Sequence, residues 1–266
     1  MSKKLITIFV VLTFATLSFA QKRAQPTSLA APLAPATISC SATYSSGSGH
    51  NATTYCVTVN GNIPQFSRDG QEMIFVGAVQ EGYGVCDFNS GVAYFDYANY
   101  DSGNWNPSTL TFPNANTAVS TRTTSDGIWK LTNTIIRTPA TASGPEAATV
   151  KMAIHNMTGI SRSIFILRYA DVDADSDPGN NDFDFTVDTA YGLHPGFLGG
   201  LGSTNNTFTF SYDAYAQSTF DGPPPCSPFG NIAPQPFHGD GSVVQLWSIT
   251  VPASATKTVV MVYKPI

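Results

Sequence analysis

The stretch "SVVQLWSITVPASATKTVVMVYK", residues 242–264, has the pattern that decides the fold. Each half is a run of apolar and β-branched residues with the length of a strand, and the intervening "PASAT" is typical of a turn. Val251 precedes Pro252, and the proline ring disfavours helical geometry at the residue before it. The sequence therefore predicts two strands joined by "PASAT".

Similar short runs fill the rest of the chain. "ATVKMAIHN" (148–156) alternates apolar and polar residues with a period of two, as a strand with one buried face does. "SIFILRY" (163–169) is apolar on both faces, which suits a central strand. No convincing helix follows the N-terminal segment. We expect an all-β fold: a large two-sheet antiparallel β-sandwich of supersandwich type, forming a single domain over residues 37–266.

The N-terminus has the features of an export signal. Lys3 and Lys4 precede the short apolar run "LITIFVVLTFATL", and small residues lead up to Ala20. We expect a signal peptide over residues 1–20, cleaved after Ala20, and a flexible Pro- and Ala-rich leader over residues 21–36. A retained membrane anchor is the alternative, but the run is short for a bilayer span. The sequence predicts a secreted or periplasmic protein with no membrane span in the mature chain.

The chain has four cysteines, an even number that suits disulfides in an oxidising compartment. Three pairings are open. A hairpin about the turn-rich "SSGSGHN" would place Cys40 opposite Cys56, so we favour that bridge, which leaves Cys86 to pair with Cys226. Zinc is the rival use, but there is no C-x-x-C spacing and the four histidines are scattered.

Negative charge is concentrated in "DVDADSDPGNND", residues 171–182. Charged residues make up only 12% of the chain, yet seven of its 18 acidic residues lie between positions 171 and 188, where there is no Lys or Arg. Close carboxylates repel one another unless a cation relieves them. Aspartate and asparagine oxygens are the ligands that Ca²⁺ prefers. We predict a structural Ca²⁺ loop with the ligands Asp171, Asp173, Asp175, Asp177 and Asp182.

Other interpretations of the acidic segment remain open. It does not fit an EF-hand, because Ser176 occupies the position that needs glycine and Asp182 replaces the final glutamate. Mg²⁺ is less favoured than Ca²⁺, since it keeps most of its waters. The segment could instead be a solvated loop, neutralised in part by Arg168. Paired carboxylates also cleave glycosides, at separations that only the fold decides.

Aromatic residues among amides and carboxylates in "GVAYFDYANYDSGNWNP" (91–107) suggest a carbohydrate platform. Flat rings suit the apolar face of a sugar, and polar groups suit its hydroxyls. Tyr100 and Trp105 are the rings that we expect to be exposed. The alternative is that these aromatic side chains pack in the interior, as they do in most strands.

Two long connections are predicted at residues 192–205 and 221–241. They contain His194 and His238, and "HGDG" places Asp240 two residues after His238, so a shared His/Asp site is conceivable. The sequence has no basic patch for nucleic acid, no glycine-rich nucleotide motif and no G-x-S-x-G nucleophile motif.

Two segments carry a resemblance to known proteins. "IHNMTGISRSIFILRYADVDAD" (154–175) resembles a recurring element of exported bacterial β-sandwich proteins, and "EGYGVCDFNSGVAYFDYANYDSGNW" (81–105) is similar to stretches in uncharacterised secreted proteins of soil bacteria. The strand count resembles the supersandwich of galactose mutarotases and of glycoside hydrolase domains. This resemblance implies a fold and carries no activity. The catalytic His and Glu of the mutarotases cannot be mapped onto this sequence. Its three glutamates, Glu72, Glu81 and Glu146, give no convincing match.

Taken together, the sequence favours a secreted β-sandwich that acts as a binding or surface-associated module, with a Ca²⁺ loop, two disulfides and carbohydrate as the candidate partner. The alternative function is a carbohydrate-active enzyme, either glycoside-processing or mutarotase-like.

Overall fold

The fold is built almost entirely of antiparallel strands. The structure is a computed structural model, which describes residues 39–74, 79–98, 100–196, 199–207, 209–219, 221–232 and 235–266. The predicted signal peptide and leader lie outside the described residues. None of the helices in the described part has the length and apolar character needed to cross a bilayer.

The described residues form eighteen strands and two single-turn 3₁₀ helices, Gly49–Asn51 and Ala174–Ser176. The strands are β1 (Ala42–Ser46), β2 (Thr53–Val57), β3 (Gln65–Arg68), β4 (Gln71–Glu72), β5 (Val79–Asp87), β6 (Val92–Ala98), β7 (Thr109–Asn114), β8 (Thr117–Thr123), β9 (Trp129–Thr138), β10 (Ala147–Asn156), β11 (Arg162–Asp171), β12 (Asn181–Phe185), β13 (Thr189–His194), β14 (Gly199–Asn205), β15 (Ser211–Gln217), β16 (Phe237–Gly239), β17 (Ser242–Val251) and β18 (Thr256–Pro265).

The strands form three antiparallel sheets. Nine strands pair in the order β16-β12-β13-β14-β18-β10-β9-β8-β7, five in the order β15-β17-β11-β5-β6, and four in the order β1-β2-β3-β4. The predicted all-β antiparallel sandwich is confirmed. The number of sheets differs from the predicted two, because the N-terminal meander β1–β4 pairs only with itself among the described strands. The two strands of residues 242–264 join different sheets, so they form no hairpin.

One core lies between the nine-stranded and five-stranded sheets. Val150 and Met261 from the first sheet pack in the same buried cluster as Ile164, Ile166 and Trp247 from the second. Because side chains alternate along a strand, the inward residues of β11 have even numbers and the outward ones have odd numbers. Burial of this apolar face is the main force that holds the two sheets together.

The outer face of the five-stranded sheet is also covered. Its odd-numbered β11 residues join an aromatic cluster with Tyr97 and Tyr215. The segment 221–232 lies over this cluster: the hydroxyl of Tyr97 donates to the carbonyl of Pro223 at 2.6 Å, and that of Tyr215 donates to the carbonyl of Pro228 at 2.7 Å. The second long connection is therefore a fixed cover over the sheet.

Both favoured disulfides, Cys40–Cys56 and Cys86–Cys226, are present. The strand register behind the first was wrong, because β1 and β2 pair with Thr43 opposite Cys56. Cys40 lies just before β1, and its bridge to Cys56 ties this end of the chain to β2. Cys86 on β5 fastens the 221–232 cover to the outer face of the five-stranded sheet.

The predicted long connection at residues 192–205 was wrong. Residues 189–194 and 199–205 are the paired strands β13 and β14. The glycines of β14 lower its strand propensity, so the sequence pattern does not indicate a strand there. They also allow close backbone approach, because a Cβ on Gly200 would lie 1.9 Å from the carbonyl oxygen of Gly192.

Candidate functional site

Three carboxylates meet at the end of the central strand β11. Asp171 is the last residue of β11, Asp173 follows two residues later, and Asp240 lies between β16 and β17. One oxygen from each lies within 4.8 Å of the others. Asp171 is paired with Ser242 on β17, and this register brings Asp240, two residues before Ser242, to the same edge of the sheet.

Backbone hydrogen bonds hold the chain that carries these aspartates. The amide of Val172 donates to the carbonyl of Gly241 at 3.2 Å, and the amide of Asp173 donates to the carbonyl of Met73, also at 3.2 Å. After Asp173 the chain turns sharply, with Asp175 and Ser176 in left-handed geometry. Asp171 and Asp173 are thus fixed by the sheet, whereas the turn directs the later aspartates away.

The electrostatic environment of Asp171 is strongly unfavourable for its charge. Asp171 and Asp173 are only 2% and 1% exposed. Burial, with the nearby carboxylates of Asp173, Asp240 and Asp221, raises the pKa of Asp171 well above its usual value. Burial likewise raises the pKa of Asp240. A cation shared by these groups would remove the penalty.

Arg168 does not supply that cation. It lies three residues before Asp171 on β11, so its side chain points to the opposite face. There its guanidinium forms a fully buried ion pair with Glu81 and donates to the carbonyl of Gly61 at 3.0 Å. The interpretation of a loop neutralised in part by Arg168 therefore fails.

Several buried side-chain oxygens on the strands that meet at this end of β11 and β17, or beside them, accept no hydrogen bond. They include one oxygen each of Asp171 and Asp240. Gln217 on β15 lies opposite Ser242, and β15 pairs with β17 on the side away from Asp171. Asn181 on β12 lies opposite Gly239 on β16. A buried acceptor with no donor costs free energy. Hard oxygens of this kind are the donors that Ca²⁺ and Mg²⁺ take. Four of these oxygens are Asp171 Oδ1, Asp240 Oδ1, Asn181 Oδ1 and Gln217 Oε1.

The other predicted ligands lie elsewhere. Asp175 is half-buried in the turn, and Asp177 is exposed, with Oδ2 3.6 Å from Nε2 of His194. Asp182 points outward from β12, where its Oδ1 lies 2.8 Å from Nδ1 of His238. The structure therefore brings together two of the five predicted ligands and adds Asp240. The "HGDG" motif drew attention to Asp240, but only the β11–β17 register shows which residues it joins.

Tyr100 and Trp105 do not form a common exposed platform. Tyr100 is 46% exposed and packs against Phe95 with ring centroids 5.2 Å apart. Trp105 is 8% exposed, against the expectation, because its ring is enclosed by Tyr83, Tyr94 and the guanidinium of Arg122. Trp105 is therefore part of the core packing.

No protein-family profile matches the sequence, and no curated protein matches it in sequence. Among solved structures, the chain is similar to a bacterial glucoamylase complexed with acarbose, with a TM-score of 0.56, 7% identity and 90% of this chain covered. It spans about a third of that protein, 34% of its chain.

A second similar structure is the Slr1438 protein from Synechocystis sp. PCC 6803, with a TM-score of 0.51, 9% identity, and coverage of 88% of this chain and 96% of that one. A candidate aldose 1-epimerase from Escherichia coli K12 matches at a TM-score of 0.47 with 9% identity, over 85% and 99% of the two chains, which is too distant to support an argument. Identities this low show similarity of fold alone. The predicted fold-level likeness to a domain of a glycoside hydrolase is confirmed by the glucoamylase.

Proposed function

We propose that this protein is an exported β-sandwich binding or surface-associated module whose central strand end is held by a divalent cation, Ca²⁺. The observation that carries the proposal is the meeting of Asp171, Asp173 and Asp240, with oxygens within 4.8 Å of one another and two of the three side chains nearly fully buried. The two disulfides suit an oxidising compartment outside the cytosol.

Calcium suits the donor set better than magnesium. Three carboxylates, each able to give one or two oxygens, would supply several protein ligands to one ion. Ca²⁺ takes six to eight oxygens in flexible geometry, whereas Mg²⁺ demands an octahedron and keeps several waters. The carboxylates would bind the ion directly, and the ion would join β11 to the segment before β17.

The test is thermal unfolding in Ca²⁺ and then in chelator. An ion at 100 times its Kd adds about 2.7 kcal/mol to the free energy of unfolding. For a domain of this size that corresponds to a rise in Tm of roughly 5–10 °C. Mg²⁺ should give a smaller rise. No shift with Ca²⁺ would show that the cluster holds no such ion.

Variants distinguish this site from the remaining acidic segment. Asp171→Asn removes a ligand and should abolish the Ca²⁺ shift. In chelator the same variant should be at least as stable as the parent, because one of the mutually repelling carboxylates is gone. Asp175→Asn is the matched control, since its side chain lies in the turn, and it should retain the full shift.

A carbohydrate-active enzyme is the second candidate function. The carboxylate oxygens of the cluster lie within 4.8 Å, near the separation of about 5 Å between the acid and nucleophile of retaining glycosidases. The burial of Asp171 and Asp173 speaks against it, because a sugar must reach the reacting carboxyls. Release of reducing sugar by the parent protein, lost in Asp171→Asn, would establish the enzyme in place of the binding module.

A further inference from the structure

A second group of polar side chains lies on the outer face of the nine-stranded sheet, where β16, β12 and β13 are neighbours. It surrounds a cleft of about 440 Å³, which we call the β12 cleft. This volume lies within the range of sites for small molecules. The β12 cleft is lined by Asp182, Asp184, Tyr191, Leu193, Pro236 and His238, over Phe183 and Phe237.

Strand alternation explains the composition of the β12 cleft. Phe183 is buried in the core, so its neighbours Asp182 and Asp184 point outward. On β13, Tyr191 lies opposite Asp184. On β16, His238 lies opposite Asp182. The outward side chains of three strands therefore meet on one surface.

Aromatic rings pack beneath the β12 cleft, and hydrogen bonds orient its polar groups. The rings of Phe183 and Phe237 stack beneath it, with centroids 4.8 Å apart and planes 10° apart. Nδ1 of His238 lies 2.8 Å from Oδ1 of Asp182, so the imidazole is held with Nε2 as its second hydrogen-bonding atom. The hydroxyl of Tyr191 lies 3.5 Å from Oδ2 of Asp184.

We propose that the β12 cleft binds an uncharged sugar ring of a glycan. The carboxylates of Asp182 and Asp184 are strong acceptors for sugar hydroxyls, and Nε2 of His238 can meet a third. The half-buried ring of Tyr191, beside Leu193, offers an apolar surface for the C–H face of a pyranose. Groups of both kinds converge on one cleft of suitable size.

The charge of the β12 cleft sets its selectivity. Two aspartates face the ligand, and the one imidazole is already paired with a carboxylate. Uronic acids and sulfated sugars would place further negative charge against them, which costs free energy in a partly desolvated site. Neutral hexoses should therefore bind, whereas their anionic counterparts should not.

This inference extends the proposed binding role, but it rests on neither the Ca²⁺ ion nor its ligands. Calorimetric titration of the full chain with neutral gluco-, manno- and galacto-configured tetrasaccharides should show binding for at least one of them. Uronic acid tetrasaccharides should bind at least tenfold more weakly. Tyr191→Ala should weaken binding of the neutral sugar by about tenfold, which corresponds to 1.4 kcal/mol.

Two further variants complete the test. Asp184→Asn keeps the shape of the cleft but weakens an acceptor, so affinity should also fall. Phe112→Ala removes an exposed aromatic side chain on β7, at the other end of the nine-stranded sheet, and should leave affinity unchanged. No binding of any neutral tetrasaccharide, equal binding of uronic acids, or loss of affinity in Phe112→Ala alone would overturn the proposal. Asp171→Asn, tested with the same sugars, separates failure of this site from failure of the cation site.

Discussion

Removal of the disulfide Cys86–Cys226 should destabilise the protein more than removal of Cys40–Cys56. The two bridges close loops of very different length, with sequence separations of 140 and 16 residues. Constraint of the unfolded chain grows with the logarithm of loop length. On this basis the long bridge contributes about 5 kcal/mol at 25 °C and the short one about 3 kcal/mol. The difference of about 2 kcal/mol is the quantity to measure.

The assay is equilibrium unfolding in urea of the parent, of Cys86→Ser/Cys226→Ser and of Cys40→Ser/Cys56→Ser. The short-loop variant is the matched control, because it loses the same number of sulfur–sulfur bonds. The long-loop variant should also become sensitive to protease within residues 221–232, since the bridge fastens this cover to β5. An equal or larger loss in the short-loop variant would refute the entropic reasoning.

Three further changes test the interior. Arg168→Met leaves Glu81 fully buried without its ion-pair partner and should cost about 3–5 kcal/mol in urea unfolding, part of it recovered by adding Glu81→Gln; a cost below about 1 kcal/mol would contradict the role of the pair. Burial, opposed by Arg122 and reinforced by Asp101, raises the pKa of Asp96 to about 6 from 3.8. Between about pH 4 and about pH 6 the folded state therefore keeps a proton on Asp96 that the unfolded state has lost. The contribution of Asp96 to the free energy of unfolding should fall as pH rises from about 4 to about 6, and Asp96→Asn should abolish that part of the pH profile. Trp105→Ala should cost about 3–5 kcal/mol and leave glycan titrations unchanged, because its ring is packed in the interior; a lost titration signal with unchanged stability would contradict this.

Local sequence patterns predicted the strands that follow simple periodicity. Residues 148–156 and 163–169 lie in β10 and β11, and the apolar character of the second segment on both faces reflects its central place and the cover over its outer face. The strands within residues 192–205 were not predicted, because their glycines lower strand propensity. The same glycines allow the close backbone approach found between β13 and β14. Propensity alone could not reveal that packing.

The candidate cation site was only half visible from the sequence. Asp171 and Asp173 stood out because negative charge is dense there, but the same density drew attention to Asp175, Asp177 and Asp182. Which carboxylates converge depends on the pairing of β11 with β17, a contact between distant parts of the chain. Asp240 could be assigned only from that pairing. The burial of Trp105 likewise depends on Arg122 from another strand.

The two faces of β11 carry opposite chemistry, and this limits how the chain can assemble. Arg168 meets Glu81 on the inner face, while Tyr169 joins the aromatic cluster on the outer face. A slip of one residue in pairing would exchange the two faces. It would bury a guanidinium among aromatic rings and leave Glu81 facing a phenol. Misaligned pairing of the five-stranded sheet is therefore penalised at its middle strand, whose two faces admit one alignment.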